Sequence, residues 1–250
     1  MLVTRPQEQA AALCRLLAAE GATAFRLPAI EIVPSADRHE LKSRLGAIES
    51  FDLVIFVSAN AVRFGAALLG TEHAGALAAV GPATHQALRA AGFRVSVVPE
   101  RGFDSESLLA HPALLSVQNR RVLLIKGSGG RDLLADELAK RGAALQIAEV
   151  YQRRRAAPSA ADLGLLEREF AAGAIHVITA TSLEVGESLL ALASPALRAA
   201  WDRVHWLVPS ERVAAGLRQQ GLNAPVLRAD SAQDLDLVAA IVRWRRSAES

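Results

Sequence analysis

The sequence predicts an α/β protein with mostly parallel, doubly wound sheets shared between two domains. Three observations carry this. First, four helix-like runs end in a glycine followed by an apolar run: AAEGATAF, RAAGFRVSV, AKRGAALQI and RQQGLNAPV, with Gly21, Gly92, Gly142 and Gly221 at the junctions. Glycine suits the residue after a helix, where φ is often positive. Second, helical spacing separates the apolar runs: Val62, Ala66 and Leu69 lie at i, i+4, i+7, as do Val185, Leu189 and Leu192, so each trio lines one face. Third, the pattern repeats. LVTRPQEQAAALCRLLAAEGATAF matches LLIKGSGGRDLLADELAKRGAALQ with Arg5 and Lys126 in equivalent places, and FDLVIFVSANAVRF matches AIHVITATSLEVGESL with Ser58 and Ser182 in equivalent places.

Taken in order, the expected strands are Leu2–Thr4, Thr23–Leu27, Asp52–Val57, Ala76–Val80, Arg94–Val98, Arg121–Ile125, Ala144–Ala148, Ala174–Ile178, Val204–Val208 and Ala224–Leu227. Helices fill the intervals, and that alternation yields parallel strands. The repeat reads A, B, A′, B′, where A supplies two strands and B three. A five-stranded doubly wound sheet needs one of each. Consecutive halves could pair as a tandem duplication, or B could pair with A′ while the two chain ends pair with each other. The repeat does not choose. The connectors Ala29–Pro34 and Glu149–Arg155 are short and extended, which suits a chain that leaves one domain and returns.

Composition narrows the function classes. The chain has 250 residues, 51% of them hydrophobic, with few aromatics, so aliphatic helix-on-sheet cores are expected. Cys14 is the sole cysteine, which rules out an intrachain disulfide and fits a reducing compartment. Met1–Pro6 is too short and too interrupted for a signal peptide. No apolar stretch reaches the roughly 18–20 residues of a membrane helix. A cytoplasmic protein with no membrane partner is expected. The net charge of +2 argues against nucleic acid as a partner. Basic residues are nearly all arginine, with lysine at 42, 126 and 140. That bias reads as genome composition, although planar guanidinium groups also suit carboxylates. The basic end Arg243–Arg246 reads as a solvated helix terminus.

Open parallel sheets bind ligands at the carboxyl ends of their strands. The residues expected there are Thr4-Arg5, Ser58 to Asn60, Gly81 to Thr84, Lys126-Gly127-Ser128 through Arg131, Thr181-Ser182 and Ser210 to Arg212. They are small, hydroxylic or basic. Free N–H groups and partial positive charge at helix starts suit anions. Ser58, Thr84, Ser182 and Ser210 also read simply as helix caps, each worth about 1 kcal/mol; their recurrence at equivalent junctions favours an anion-binding row. Two such domains facing each other would form a cleft for a polyanion.

The loop Lys126–Arg131 fails as a nucleotide motif. The G-x-G-x-x-G pattern would need glycine where Asp132 stands, and no Gly-Lys-Ser/Thr follows. A glycine-rich anion loop or a tight turn remains. The six histidines lack metal-ligand spacing, and no Gly-x-Ser-x-Gly elbow is present. No metal and no cofactor is expected. Tyr151 is the sole tyrosine and sits on the second connector. It reads either as a half-buried strand aromatic or as a phenol able to protonate a leaving group.

In order and spacing, Val3-Thr4-Arg5-Pro6, the run Phe56–Val62, Val80–Thr84, Asp104–Leu109, Lys126–Arg131, Val150-Tyr151-Gln152 and Val208–Arg212 resemble the uroporphyrinogen-III synthase family along nearly the whole chain. The resemblance implies a HemD-like fold: two flavodoxin-like doubly wound parallel-sheet domains joined by a two-stranded linker. Domain 1 would comprise residues 1–30 plus 154–250, domain 2 residues 36–148, and the linker strands residues 31–35 and 149–153. It also implies the reaction. Hydroxymethylbilane loses its terminal hydroxyl to give an azafulvene. Attack at a substituted carbon of the last pyrrole gives a spiro intermediate, and rearrangement inverts that ring before closure.

That reaction is a positioning task, because the unaided bilane closes to the type I isomer. Carried over by motif, Tyr151 would assist hydroxyl departure. Arg5, Ser58, Asn60, Thr84, Lys126, Gly127, Ser128, Arg131, Thr181, Ser182 and Ser210 would contact substrate. A monomer is implied, with transient contact with the upstream bilane synthase. Two departures stand out: Val57 replaces a common threonine, and Val208 stands where the other copy has Gly81. Two rival readings share the fold. One is a non-catalytic two-domain sensor of small anions; the other is a nucleotide-dependent transferase, which the failed glycine motifs weigh against.

Overall fold

The computed structural model describes residues 1–35, 38–45, 48–69, 75–130 and 132–248. The chain divides into two compact units, Met1–Glu31 with Arg154–Ser250, and Ile32–Arg153.

The first unit holds strands β1 (Leu2–Val3) and β2 (Phe25–Arg26) around helix α1 (Gln7–Ala19). Strand β3 (Ile30–Pro34) leads into the second unit. There follow α2 (Arg38–Leu45), β4 (Leu53–Phe56), α3 (Ala59–Gly65), β5 (Ala76–Ala79), α4 (Pro82–Ala90), α5 (Ser105–Leu109), α6 (Pro112–Leu115), β6 (Arg121–Gly127) and α7 (Leu133–Lys140). The long β7 (Ala144–Arg155) returns the chain to the first unit. That unit closes with α8 (Ala160–Ala171), β8 (Val177–Thr179), α9 (Leu183–Leu192), α10 (Pro195–Trp201), β9 (His205–Val208), α11 (Glu211–Gln219), β10 (Val226–Arg228) and α12 (Asp234–Ala248).

The sheet of the first unit has the order β10-β9-β8-β1-β2, all parallel. Numbered within that unit, this is the flavodoxin-like order 2-1-3-4-5. The second sheet runs β3-β7-β6-β4-β5. Its β7-β6-β4-β5 core is parallel, and the bridge Ala78–Val97 marks a fifth position beyond β5. It is the same order, permuted so that the first two strands come last in the chain. Both chain ends therefore share one sheet, while B and A′ share the other, which resolves the pairing that the repeat left open. Strand β3 runs antiparallel to β7: Ser35 N–H donates to Val150 O, and Ala156 N–H donates to Ala29 O, so one number rises as the other falls. Arg154 Nε and Nη2 each lie 2.9 Å from Glu31 Oε2 on this ladder.

Doubly wound sheets bury both faces, and period-two alternation divides the side chains between them. In the first unit Leu2, Ile178 and Trp206 face Leu166, Leu189 and Leu217 of α8, α9 and α11, while Val3, Val177 and Leu207 face Leu13, Leu17, Leu237 and Ile241 of α1 and α12. In the second, Val54, Phe56, Leu123 and Ile125 share a core with Val62 and Leu88 of α3 and α4. Leu53, Ile55, Val122 and Leu124 share the other with Leu108, Leu134 and Leu138 of α5 and α7. Each fully buried leucine or isoleucine contributes roughly 1.5–3 kcal/mol.

The four junction glycines have φ of +76°, +89°, +78° and +81° at Gly21, Gly92, Gly142 and Gly221, as their helix-Gly-strand pattern predicts. Two expectations change. The segment Arg94–Val98 contributes a single bridge instead of a strand. Also, β7 continues unbroken through the connector to Arg155, because β3 pairs with its far end.

Candidate functional site

In parallel sheets every strand-to-helix junction falls at the carboxyl edge. In the second unit that edge is built at the topological switch between β6 and β4, where Phe56 pairs with Ile125. Ser58 caps α3, its Oγ accepting from Ala61 N–H at 3.1 Å. The same Oγ lies 3.2 Å from the Tyr151 hydroxyl. The tyrosine reaches it because the β6–β7 register slips between Lys126 and Gly127. That bulge inserts an extra residue on β7, so Val150 and Tyr151 are both buried although they are consecutive.

Gly127 makes room for the ring. A Cβ there would stand 2.5 Å from Tyr151 Cε2 and Cζ. Phe64 flanks the ring, with centroids 5.8 Å apart. Tyr151 is thus buried, which differs from the half-buried strand aromatic that is one of its two readings. Ser128 is exposed, and its N–H donates to Tyr151 O at 2.8 Å. Lys126 is buried, and its Nζ is 2.6 Å from Oδ1 of the exposed Asp132. Arg131 lies outside the described residues.

Further along this edge, Gly81 stands at the cap position of α4 with Pro82 first in the helix. Thr84 is therefore no cap, contrary to the capping reading. It sits in the first turn, 4% exposed, and its hydroxyl makes no hydrogen bond to another described residue. Asn60, second in α3, is half-buried, and its amide likewise has no partner among the described residues.

The carboxyl edge of the first unit follows the same plan. Ser182 caps α9 through Val185 N–H at 3.2 Å, and Ser210 caps α11 through Val213 N–H at 3.4 Å. Thr181 is half-buried beside Ser182. The switch point here lies between β1 and β8. It is closed internally: Thr4 and Thr179 are both fully buried, Thr4 Oγ1 donates to Thr179 O, and Thr179 Oγ1 donates to Leu2 O at 3.3 Å.

Arg5, another expected substrate contact, has partners within the fold. Its guanidinium pairs with Asp234 and donates to the Ala232 carbonyl, which ties β1 to the start of α12. Its charge is neutralised within the fold. Neither partner is visible in the sequence, since more than two hundred positions separate them from Arg5. Sequence reasoning also passes over Asp132, which pairs with Lys126, and Phe103, whose side chain lies against Gly81. The Lys126–Asp132 spacing of six across a glycine loop is the available signal for the first; nothing flags the second.

Among the described residues no group of three His, Cys, Asp or Glu side chains is placed to hold a metal ion. No helix among them is long and apolar enough to cross a membrane.

Two doubly wound sheets of one strand order, with helices α3, α9 and α11 starting at serine caps on their carboxyl edges, define a two-domain α/β protein. Residues 11–234 match the family model described as uroporphyrinogen-III synthase HemD. The chain belongs to the uroporphyrinogen-III synthase family. It is 33% identical to the uroporphyrinogen-III synthase of Salmonella typhimurium strain LT2, with 96% of this chain and 99% of that one covered. It is 30% identical to that of Escherichia coli K12 over the same shares. Among solved structures, a uroporphyrinogen III synthase from Thermus thermophilus superposes with a TM-score of 0.57 at 21% identity, covering 99% of this chain and 98% of that one. One from Helicobacter pylori 26695 gives 0.58 at 15% identity, covering 88% and 93%. The solved structures establish the shared fold.

Proposed function

We propose that this chain converts hydroxymethylbilane to uroporphyrinogen III with release of water. The observation that carries this reading is the Tyr151–Ser58 pair at the β6–β4 switch point, placed by a bulge and a side-chain-free Gly127. In it Tyr151 donates a proton to the departing terminal hydroxyl, which leaves as water. The azafulvene is attacked by the substituted carbon of the last pyrrole. The proton lost at final closure balances the one donated. Ser58 orients the phenol by a single hydrogen bond.

The acetate and propionate carboxylates of the bilane are held by helix-start N–H groups and hydroxyls at the carboxyl edges: Thr84 at α4, Thr181 and Ser182 at α9, Ser210 at α11. Asn60, Lys126, Gly127, Ser128 and Arg131 provide further contacts around the Tyr151 edge. Arg5 acts as an anchor for α12 in place of a contact. Residues 31–35 and 149–153 serve as the linker strands, and the chain works as a cytoplasmic monomer that receives its bilane from the upstream synthase.

The test supplies hydroxymethylbilane made in situ, oxidises the products and resolves the isomers by chromatography. Type III product in excess of the unaided reaction supports the proposal; type I alone refutes it and favours the anion-sensor reading.

A further inference from the structure

We infer that Phe103 is a stacking platform for one pyrrole ring of the bilane, an assignment that rests on the cyclase reading above. Phe103 is the aromatic one among the exposed large hydrophobic side chains described, at 60% exposure. It stands beside the start of α4: a Cβ on Gly81 would lie 3.1 Å from Phe103 Cβ and 3.8 Å from its Cγ. Parallel pairing of β4, β5 and β6 puts this junction on the same carboxyl edge as Ser58 and Gly127.

The backbone that carries the ring is braced on both sides. Gly102 has φ +69°, and the space a side chain there would take is filled by Ser107 Oγ, 2.0 Å from the Cβ position. Asp104 caps α5, its Oδ1 accepting from Ser107 N–H at 2.8 Å. An exposed ring on a braced turn is a preorganised surface, because little freedom is lost when a ligand covers it. In the first turn of α4, Thr84 is 4% exposed and its side chain makes no hydrogen bond to another described residue.

A flat apolar face therefore adjoins a polar group and the start of a nine-residue helix. A substituted pyrrole presents the matching pair, a flat electron-rich ring carrying carboxylate arms. The ring lies on Phe103 in offset or edge-to-face geometry, and one arm reaches the α4 start and Thr84.

The experiment compares whole-chain Phe103→Ala, Phe103→Leu and Phe103→Trp with wild type. It measures KM, kcat, the type III to type I ratio and the thermal midpoint. Phe103→Ala and Phe103→Leu should raise KM about 3- to 10-fold with an unchanged midpoint, since an exposed side chain contributes little to folding. Phe103→Trp should keep KM within about two-fold by the same stacking argument. Wild-type KM in Phe103→Ala overturns the assignment. So does wild-type KM in Phe103→Leu, which would mean that apolar bulk suffices. A lowered midpoint in Phe103→Ala with KM unchanged would make the ring a cover for Gly81. If the wild-type protein yields type I product alone, the cyclase reading fails first and takes this assignment with it.

Discussion

Gly127→Ala tests the construction of the Tyr151 edge most directly. The new methyl would stand 2.5 Å from Tyr151 Cε2 and Cζ and 3.0 Å from Cδ2, whereas carbon pairs rest at about 3.5–4.0 Å. The ring must retreat by about 1 Å. It has little freedom to do so: Tyr151 is 4% exposed, Phe64 lies against it, and its hydroxyl is 3.2 Å from Ser58 Oγ. Overpacking of this kind costs about 1–3 kcal/mol, and losing the hydrogen bond adds about 1 kcal/mol. For a unit of this size the thermal midpoint should fall by roughly 4–12 °C. Calorimetry on the whole chain reads this, and the isomer assay reads the accompanying loss of turnover. In a Tyr151→Ala background the obstacle is gone, so Gly127→Ala should cost less than about 0.5 kcal/mol there. An equal cost in both backgrounds, or none in the wild type, would refute the steric argument.

Tyr151→Phe keeps the ring and loses only the hydroxyl. Stability should change by about 1 kcal/mol or less, while turnover to type III falls at least about ten-fold; unchanged turnover would remove the phenol from the chemistry. Arg5→Ala leaves Asp234 without its partner, so the unfolding free energy from urea titration should drop by about 1–3 kcal/mol with KM within about two-fold of wild type, and a large rise in KM at unchanged stability would return Arg5 to the substrate contacts. Burial lowers the His205 pKa from its ordinary value, so the folded state prefers the neutral ring, which lies tilted against Trp244 with centroids 4.9 Å apart. The unfolded chain then takes up the proton first as pH falls, so this contribution is fully present above the ordinary histidine pKa and declines below it toward the depressed folded value. Between about pH 7.5 and 5.5, a window that spans the ordinary histidine pKa, urea midpoints should fall more in wild type than in His205→Gln; equal losses would rule the effect out.

What is legible in the sequence is periodic. The junction glycines, the alternation of apolar runs with helical spacing and the A, B, A′, B′ repeat are local signals, and they announce parallel strands and the helices between them. Which half pairs with which is decided by long-range packing. A repeat whose copies are alike cannot specify it, so the crossed arrangement comes from family resemblance and then from the sheet orders. The Ser58, Ser182 and Ser210 caps are readable because a cap and the N–H it binds lie three positions apart. Thr84 reads as a cap in the sequence, but Gly81-Pro82 starts α4 three residues earlier. The apolar alternation of Arg94–Val98 suggests a strand, yet at the sheet edge a single bridge satisfies it. The pairing of Arg5 with Ala232 and Asp234 is not readable because these partners lie at the other end of the chain, where spacing rules carry no information.

The burial of Tyr151 is the least readable feature, and it bears most on how such a site could work. An alternating strand would send Val150 and Tyr151 to opposite faces; the one-residue slip at Lys126/Gly127 keeps both inside. A cyclase that redirects a reaction already able to proceed must separate two closures. A hundred-fold preference corresponds to about 2.7 kcal/mol. Two or three hydrogen bonds of about 0.5–1.5 kcal/mol each, made in one closure geometry and missed in the other, reach that difference. The capped helix starts and the oriented Tyr151–Ser58 pair offer such groups on rigid elements, where a displacement of about 1 Å matters. Under this reading the demand on the fold is geometric, so perturbations of shape such as Gly127→Ala should change the isomer ratio as well as the rate. Removing a single hydroxyl at Ser182 or Ser210 should lower that ratio by about 2- to 10-fold.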